Sequence, residues 1–437
     1  MKTNIYILVF GFLLNIGFIL QAQQSKSISK SEVLLKVINK NQSLKISEQE
    51  FNKAKADYRQ TNAVFLPNIS VSYTGISTTN PLMAFGSRLN QEIVTQNDFN
   101  PILLNDPKQI QNFATRIEVK QPLINLDGFY QRKAAKSKMN AMALQTKRTN
   151  DYLVFEVDKA YMQLQLAYKA VDVLEKALKA ATENKNLADN SFKQGYLLRA
   201  DVLAVEVRVS EVQNQLQQAK SNVKNASNYL SFLMNDKISV IYEPSDELLV
   251  SDLSSKSTQI ISENRLDIKA MALASDAYKT AYLADKMDFL PKLNAFGSYE
   301  LYDDKIFQAD ANGYLIGAEL SWDIFKGSKR FGKAQKSKAE YEKSKLQYQQ
   351  YVSQSELELN KAKRMLSDAK NKLKLTELVV SQSEESLRIR TNRFKEGLEK
   401  TSDLLITEAQ YAQKQLDYYQ TIFEYNYAKA YLDFLTN

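Results

Sequence analysis

Apolar residues recur with the helical period along two very long stretches of the chain. Neither glycine nor proline occurs between Gly128 and Gly195, or between Gly332 and Gly397. Both stretches are rich in the helix-favouring residues Ala, Leu, Lys, Gln and Glu, and each can form a helix of about 95 Å at 1.5 Å per residue. Since the usual helix of a globular protein is far shorter, neither helix can be buried inside one compact core.

The apolar spacing within these stretches indicates packing against other helices. Steps of mostly three and four residues separate Val154, Val157, Tyr161, Leu164, Tyr168, Val171, Leu174 and Leu178, and likewise Leu405, Ala409, Ala412, Leu416, Tyr419 and Phe423. Such spacing is typical of coiled-coil seams. A second helical stretch follows Gly195 and Gly397, so the sequence predicts two long antiparallel helical hairpins, at about 128–234 and 328–436.

The two isolated glycines stand at the expected turns of these hairpins. We expect Gly195 and Gly397 to be helix C-caps, because glycine readily adopts the left-handed conformation found there. Asp201 and Asp403, or Ser402, are candidate N-caps of the returning helices, since their side-chain oxygens accept hydrogen bonds from free backbone N–H groups. A helix-capping role alone would explain why glycine and aspartate occur at these positions in both copies.

Two windows between the helices alternate apolar and polar residues with period two, the pattern of a strand with one apolar face. The apolar positions are Ile69, Val71, Tyr73, Ile117 and Val119 in the first window, and Leu293, Ala295, Tyr299, Leu301, Tyr314, Ile316, Ala318, Leu320, Trp322 and Ile324 in the second. The sequence therefore predicts two β-hairpins, at about 65–125 and 290–326. Tilted strands of about ten residues can cross a bilayer, although a soluble sheet with one wet face shows the same alternation.

The two faces of the predicted strands differ in chemistry. The candidate pore-facing residues are Arg116, Glu118, Lys120, Glu319 and Asp323, and the candidates for a membrane aromatic belt are Tyr299, Tyr314 and Trp322. Two hairpins supply only four strands, and an open sheet in lipid would leave its edge backbone groups unpaired. Because a membrane barrel needs at least eight strands, we expect at least a dimer, and a trimer would supply twelve strands.

The chain is a tandem duplication of a unit of roughly 200 residues. The matching segments are Phe192-Lys193-Gln194-Gly195 with Phe394-Lys395-Glu396-Gly397, Asp201 with Asp403, and Phe65-Leu66-Pro67 with Phe289-Leu290-Pro291. The span 66–133 of the first copy is 24 residues longer than the matching span 290–333 of the second. Most of the additional residues fall between 78 and 113 and include three prolines, which favours a long surface loop.

The first residues have the pattern of an export signal. Lys2 precedes an apolar run from Ile5 to Leu20, and Leu20-Gln21-Ala22 fits a cleavage site. The run is short and polar residues follow it, so cleavage is favoured over a membrane anchor. The predicted organisation is a signal peptide at 1–22, a first repeat at 23–235, a linker at 236–262 and a second repeat at 263–437.

Composition excludes several classes of chemistry. The sequence has no cysteine and no histidine, which removes disulfides, thiolate chemistry, zinc sites and imidazole catalysis. Nothing else supports an enzyme, a cofactor or a bound metal. The net charge is +8, but basic and acidic residues are interspersed along the helical stretches as on solvated faces, so nucleic acid is not expected as a partner.

The order of these landmarks resembles that of the outer membrane efflux proteins, the TolC-like outer-membrane factors, over nearly the whole chain after the signal. The segments that carry the resemblance are Asn41-Gln42-Ser43-Leu44-Lys45, Asn264-Arg265-Leu266-Asp267-Ile268-Lys269, both Phe-Leu-Pro segments, Leu320-Ser321-Trp322-Asp323-Ile324-Phe325-Lys326-Gly327 and the glycine-to-aspartate turns. The resemblance implies a mainly α fold with membrane β-strands. It also implies a homotrimer, in which a twelve-stranded β-barrel in the outer membrane continues into a twelve-helix α-barrel in the periplasm.

The resemblance also implies that the two helical turns form a periplasmic tip, where such channels constrict and an adaptor protein docks. The candidate tip residues are Gly195, Arg199, Asp201, Phe394, Gly397, Lys400 and Asp403. Asp403 matches an acidic position at the constriction, and Phe394 stands where an aromatic residue often caps the gate. Ile406 occupies the position at which some members carry a second acid.

These observations predict a passive outer-membrane channel that exports small molecules. Its expected partners are outer-membrane lipid, a periplasmic adaptor and an inner-membrane pump of the RND or ABC type. The alternatives are an outer-membrane conduit for type I protein secretion and, in a different class, a periplasmic coiled-coil protein with a structural role.

Overall fold

The computed structural model describes residues 25–251 and 264–436; the predicted signal at 1–22 and the linker residues 252–262 lie outside this part. The α-helices are α1 (Lys30–Lys40), α2 (Gln42–Gln60), α3 (Pro81–Asn90), α4 (Pro101–Asn105), α5 (Leu126–Lys193), α6 (Arg199–Met234), α7 (Leu266–Met287), α8 (Lys329–Lys395) and α9 (Thr401–Thr436). The strands are β1 (Ser25–Ile28), β2 (Asn68–Thr78), β3 (Ile110–Ile124), β4 (Ile241–Pro244), β5 (Lys292–Asp303) and β6 (Ala311–Ser321).

The two long helical hairpins of the sequence prediction are confirmed. Helices α5 and α8 contain 68 and 67 residues, and each is followed by a helix of 36 residues. Gly195 and Gly397 have φ angles of 81° and 72°, the left-handed conformation in which glycine ends a helix at no steric cost. Among the helices of the described residues, none combines the length and the apolar character needed to cross a membrane.

The chain divides into two compact units. The first combines Met1–Ile46, Lys147–Arg265 and Ser353–Asn437, and the second combines Ser47–Thr146 and Leu266–Val352. In the first unit, strands β1 and β4 form a parallel pair that the sequence analysis did not predict. The largest core of this unit contains Ile28, Val33, Val37, Leu44, Leu153, Val157, Ala160, Tyr161, Leu164, Leu230, Leu233, Met234 and Tyr242. One core therefore joins this strand pair to α1, α5 and α6.

Smaller apolar cores lie farther along the helices of the first unit. Leu174 of α5 packs with Leu216 and Ala219 of α6, and Leu416 of α9 lies against them. A neighbouring core consists of Val173, Ala177, Val212 and Ala412, with Leu178, Leu416 and Tyr419 against it. Several of these residues belong to the predicted seams, so α5, α6 and α9 pack along the faces that the apolar spacing indicated.

Four strands of the second unit form one antiparallel sheet in the order β2-β3-β5-β6. The two predicted β-hairpins are therefore present, and they lie side by side. Ser72 is opposite Arg116, Arg116 is opposite Glu300, and Tyr299 is opposite Tyr314. Strands β2 and β6 each have one neighbour, so both edges of the sheet are open within the described residues.

The segment between β2 and β3 is folded, whereas the sequence predicted a long loop. It contains α3, α4 and a short 3-10 helix (Gln96–Phe99). Pro81 and Pro101 are first residues of helices, and the side chains of Asn80 and Asn100 cap those helices. Proline at the first helical position costs no hydrogen bond, so two of the prolines that suggested a loop begin helices instead.

The repeated Phe-Leu-Pro segments make equivalent contacts at the base of the two β-hairpins. The rings of Phe65 and Phe129 are 6.5 Å apart and those of Phe289 and Phe331 are 5.3 Å apart, both in edge-on packing. Phe129 and Phe331 are themselves separated by the repeat offset of 202 residues. Each pair attaches the start of a hairpin to the start of the long helix that follows it.

Candidate functional site

The four-stranded sheet has one apolar face and one polar face. The apolar face carries Ile69, Val71, Tyr73, Ile117, Val119, Leu293, Ala295, Tyr299, Leu301, Tyr314, Ile316, Ala318 and Leu320. Much of this face is exposed in the single chain: Val71 is 68 % and Ile316 is 78 % exposed. Apolar surface in water costs about 25 cal/mol per Å², so a continuous face of this kind favours an apolar environment.

Aromatic side chains border the apolar face at both ends of the strands. At the hairpin-loop end, Tyr73 stacks with Phe113 and with Phe307, at centroid distances of 6.3 and 5.1 Å. At the helix end, Trp322 donates its indole N–H to the carbonyl of Phe289 at 3.0 Å. Tyr73 is level with Asn312 of β6, and Trp322 comes ten residues after Asn312. Ten residues correspond to about 33 Å of strand, and to about 25 Å of height at a tilt of about 40°.

That height equals the apolar band of a membrane-spanning sheet, which aromatic girdles border on both sides. Of the predicted belt residues, Trp322 lies at the helix end, whereas Tyr299 and Tyr314 form a cross-strand pair one row inside the border at the other end. Phe113 and Phe307 were missed. Phe307 stands in the turn after β5, where the period of two no longer applies.

The polar face brings opposite charges together. Arg116 Nε lies 3.2 Å from a carboxylate oxygen of Glu300 on the neighbouring strand, and Lys120 Nζ lies 3.2 Å from Glu118. All four side chains remain partly exposed, so they interact with water as well as with each other. Exposed ion pairs of this kind contribute about 1 kcal/mol or less, and their main effect is to keep this face wet.

The remaining two predicted pore-facing residues have different positions. Glu319 is opposite Asn294 and lies on the same face as Arg116. Asp323 lies two residues beyond the end of β6 and pairs with Lys326. Its assignment to a strand was wrong, because the alternation of residue types continues past the last paired residue.

The first helical turn places Arg199 and Asp201 on the returning helix α6. The sequence suggested that Asp201 is the N-cap of this helix, but it is the third helical residue, and Leu198 occupies the N-cap position. A carboxylate oxygen of Asp201 accepts a hydrogen bond from the backbone N–H of Leu198 at 3.2 Å, so Asp201 still satisfies a free donor at the helix start. Arg199 approaches Glu206 to 3.9 Å.

The second helical turn contains a carboxylate held between two guanidinium groups. Arg390 Nη1 donates to Glu399 Oε1 at 2.6 Å, and Arg393 Nε donates to Glu399 Oε2 at 2.9 Å. Arg390 also lies 3.9 Å from Asp403. The side chain of Glu399 is 11 % exposed, so these charge-assisted hydrogen bonds are partly shielded from water. Sequence analysis did not select Arg390, Arg393 or Glu399.

The other predicted tip residues of the second turn do not join this group. Asp403 is the third residue of α9 and not its N-cap, and its backbone N–H donates to the carbonyl of Lys400 at 3.1 Å. Phe394 is buried, and Lys400 is exposed. The structure therefore brings Asp403 near Arg390, while Lys400 remains on the surface.

A buried carboxylate links helices of the two hairpins within the first unit. Glu408 of α9 is 3 % exposed and accepts a hydrogen bond from Asn184 Nδ2 of α5 at 2.9 Å. Burial raises the pKa of the Glu408 carboxyl, while Asn184 and Arg208 oppose the increase. The repeat offset of 202 pairs Glu408 with Glu206. This correspondence is the sequence feature by which Glu408 could have been selected. Within the described residues, no group of three or more acidic side chains could hold a metal ion.

The sequence and the fold match known proteins. Residues 33–236 and 258–436 match the family model described as outer membrane efflux protein. Comparison with curated proteins finds no match. Similar solved structures include the CmeC outer membrane channel of Campylobacter jejuni (TM-score 0.82, 16 % identity, 93 % of this chain and 85 % of that chain). Others are the outer membrane protein VceC of Vibrio cholerae (0.80, 16 %, 93 % and 96 %) and the open state of the MtrE outer membrane channel of Neisseria gonorrhoeae (0.76, 16 %, 93 % and 88 %).

Proposed function

Because the chain belongs to the outer membrane efflux protein family, we propose that it forms the outer-membrane channel of a tripartite export system for small molecules. In this system a periplasmic adaptor links the channel to an inner-membrane pump of the RND or ABC type. Family membership makes the protein an outer-membrane efflux channel and not an enzyme. The pump supplies the energy, and the channel supplies a passive path.

The sheet with an exposed apolar face and two open edges is the observation that carries this proposal. An unpaired backbone N–H or C=O group in hydrocarbon costs several kcal/mol. The open edge of β2 in one copy therefore pairs with the open edge of β6 in the next copy. Two copies would give an eight-stranded barrel, whose interior side chains fill, whereas three copies give twelve strands and leave room for a path.

In this trimer the apolar face contacts lipid and the polar face lines the path. Arg116, Glu118, Lys120, Glu300 and Glu319 bring charges of both signs to that lining. Neighbouring opposite charges largely cancel each other's field at a distance, so the lining admits polar solutes of either sign. This agrees with a conduit whose choice of solute is made mainly by the pump.

The helical turns at Gly195 and Gly397 form the periplasmic entrance in this proposal. Arg199, Asp201, Lys400 and Asp403 contact neighbouring copies or the adaptor there. The ion pairs that Arg199 and Asp403 make at the turns are partly exposed and worth about 1 kcal/mol or less each. Adaptor binding can therefore replace these weak contacts without unfolding the helices.

Membrane fractionation combined with bilayer recording tests the proposal. We expect the protein in the outer-membrane fraction of a density gradient, a trimer mass by native mass spectrometry, and ion-conducting channels in planar bilayers. Recovery in the soluble periplasm, or a monomer without channel activity, would contradict it. Cross-linking in cells followed by affinity purification should then recover an adaptor together with a pump, and recovery of neither would contradict the tripartite assignment.

A further inference from the structure

The insert between β2 and β3, residues 79–109, covers one end of the four-stranded sheet. Helix α3 of this insert packs against both β3 and β6, which are separated in the sheet by β5. The helix therefore crosses the end of the sheet and does not stand beside it. Two of its side chains, Ala84 and Ser87, lie three residues apart on one helical face and are both buried.

Side-chain alternation along the strands identifies the face that the insert covers. Asn112 lies four residues before Arg116, and Ala311 lies eight residues before Glu319, so both belong to the polar face. Both residues are buried, Asn112 at 8 % exposure and Ala311 at 1 %. Tyr314, on the apolar face nearby, is 79 % exposed. The insert thus lies over the polar face and leaves the apolar face open.

A buried glutamine attaches the insert to the sheet. Gln91, directly after α3, donates through Nε2 to the carbonyl of Gln111 at 2.8 Å, to Asn112 Oδ1 at 2.9 Å and to the carbonyl of Asp303 at 3.2 Å. These partners belong to β3 and to the end of β5. Within the insert, Arg88 of α3 pairs with Asp98. The insert is therefore fixed to the end of the sheet, because hydrogen bonds connect it to two strands.

We propose that this insert constricts the outer mouth of the channel and sets the largest solute that passes. The inference rests on the proposed function, in which the polar face lines the path. The turn between β5 and β6, residues 304–310, is much shorter. In a trimer each copy contributes one insert, which lies over its own third of the mouth. Three copies of α3 therefore narrow the opening from three sides.

A single introduced cysteine tests the constriction, because the chain has no cysteine of its own. Ser72→Cys places a thiol on the polar face, opposite Arg116. Intact cells carrying this variant are treated from outside with hydrophilic maleimides of increasing polymer size. The labelling rates are compared in four proteins that all carry Ser72→Cys: the otherwise natural chain, a chain whose residues 79–109 are replaced by a copy of residues 304–310, Gln91→Ala, and a control. Gln96→Ala, an exposed glutamine of the same insert, is the matched control.

We expect the smallest maleimide to label all four proteins, and the largest to be excluded from the natural chain and from Gln96→Ala. The replacement should raise labelling by the large reagent by an order of magnitude, and Gln91→Ala should raise it in the same direction. Equal rates for large and small reagents in the natural chain, or exclusion unchanged in both test variants, would overturn the constriction alone. Failure of the smallest reagent to label any of the four proteins would overturn the proposed pore lining and the constriction with it.

Discussion

At the second helical turn, Glu399 is held by two arginines of the preceding helix. Arg390 and Arg393 bind separate oxygens of its carboxylate, and hydrogen bonds between charged groups are stronger than those between neutral groups. The repeat offset places Leu197, which has no charge, at the equivalent position of the first turn. The two turns of each chain therefore differ in how firmly their ends are joined.

Replacing Glu399 should loosen the second turn without unfolding its helices. Glu399→Gln removes the charge between the two arginines, and we expect a loss of about 1–2 kcal/mol in local stability. Hydrogen exchange of the amides of Gly397 and Leu398, which are hydrogen bonded across the turn, measures this loss. Glu396→Gln, at an exposed neighbouring position, is the control. Equal exchange in both variants would show that the arginine contacts do not hold the turn.

The buried carboxyl of Glu408 should make stability depend on pH. Its pKa is raised by burial, so the folded state binds more protons than the unfolded state between the ordinary pKa of glutamate and the raised value. The stability associated with this group is complete below the ordinary pKa and is lost as pH rises through the raised value. The raised pKa of Glu408 therefore makes the fold less stable above the ordinary pKa of glutamate than below it.

Glu408→Gln should accordingly stabilise the protein at about pH 8 and have little effect near pH 4. The amide oxygen of glutamine can still accept the hydrogen bond from Asn184. Thermal unfolding of the purified protein at the two pH values measures the difference. Glu206→Gln, the equivalent position of the first repeat, loses contacts with Lys185 and Arg199 and should give no such gain. An equal shift for Glu408→Gln at both pH values would contradict the argument.

The two longest helices, α5 and α8, each end close to a glycine. Both helix-ending glycines have positive φ angles, and apart from the glycine and its chain neighbours no heavy atom lies within 4 Å of the position that a Cβ would occupy. The cost of adding a side chain there is therefore backbone strain alone. Gly86 inside α3 also has open space around it but has no positive φ angle, which makes it a matched comparison.

Gly397→Ala should cost about 1 kcal/mol or more, because left-handed backbone is unfavourable for residues with a Cβ. Gly86→Ala should be neutral or slightly stabilising, since alanine favours helix. Unfolding in denaturant, compared among the natural chain and the two variants, measures both effects. Equal destabilisation by the two substitutions would show that conformation at Gly397 is not what ends the helix.

The elements that could be predicted from sequence are those whose pattern persists over many residues. The glycine-free stretches and the strand alternation each repeat several times, so α5, α8 and the four sheet strands were recognisable. Strands β1 and β4 have four residues each, too few to show a period. Asp201 and Asp403 were assigned to the N-cap although each is the third residue of its helix, because aspartate is favourable both at the N-cap and in the first turn.

Contacts between distant residues had no signal in sequence spacing. Gln91 meets Asn112 and the carbonyl of Asp303 only because the insert folds onto the sheet. Likewise, the pairing of Arg390 with Glu399 depends on how the turn brings two helix ends together. The predicted tip residues lie at or near the helical turns, and their role in a periplasmic tip stays a prediction; the strongest ion pairs at the second turn involve their neighbours.

For the whole molecule, the proposed function places one face of the sheet against lipid and the other along a path. Family membership assigns the protein to the outer membrane, and the apolar face has the height and the aromatic borders of a membrane-spanning sheet. In the proposed assembly, the open edges of β2 and β6 pair with those of other copies of the chain to complete the barrel. The proposed function therefore predicts that the active form is an assembly of several copies.

Two adjacent residues of β6 lie on opposite faces of the sheet and so distinguish the lipid side from the path. Ile316 lies on the apolar face in the middle row of the sheet, where it is level with Ile69 and Val119, whereas Leu315 lies on the polar face. A lysine on the lipid side at the bilayer midplane costs about 2–4 kcal/mol. Assembled trimer in the outer membrane, quantified for Ile316→Lys and Leu315→Lys, is the measurement. We predict that Ile316→Lys strongly reduces the trimer and Leu315→Lys does not; equal amounts of trimer for the two variants would contradict the account.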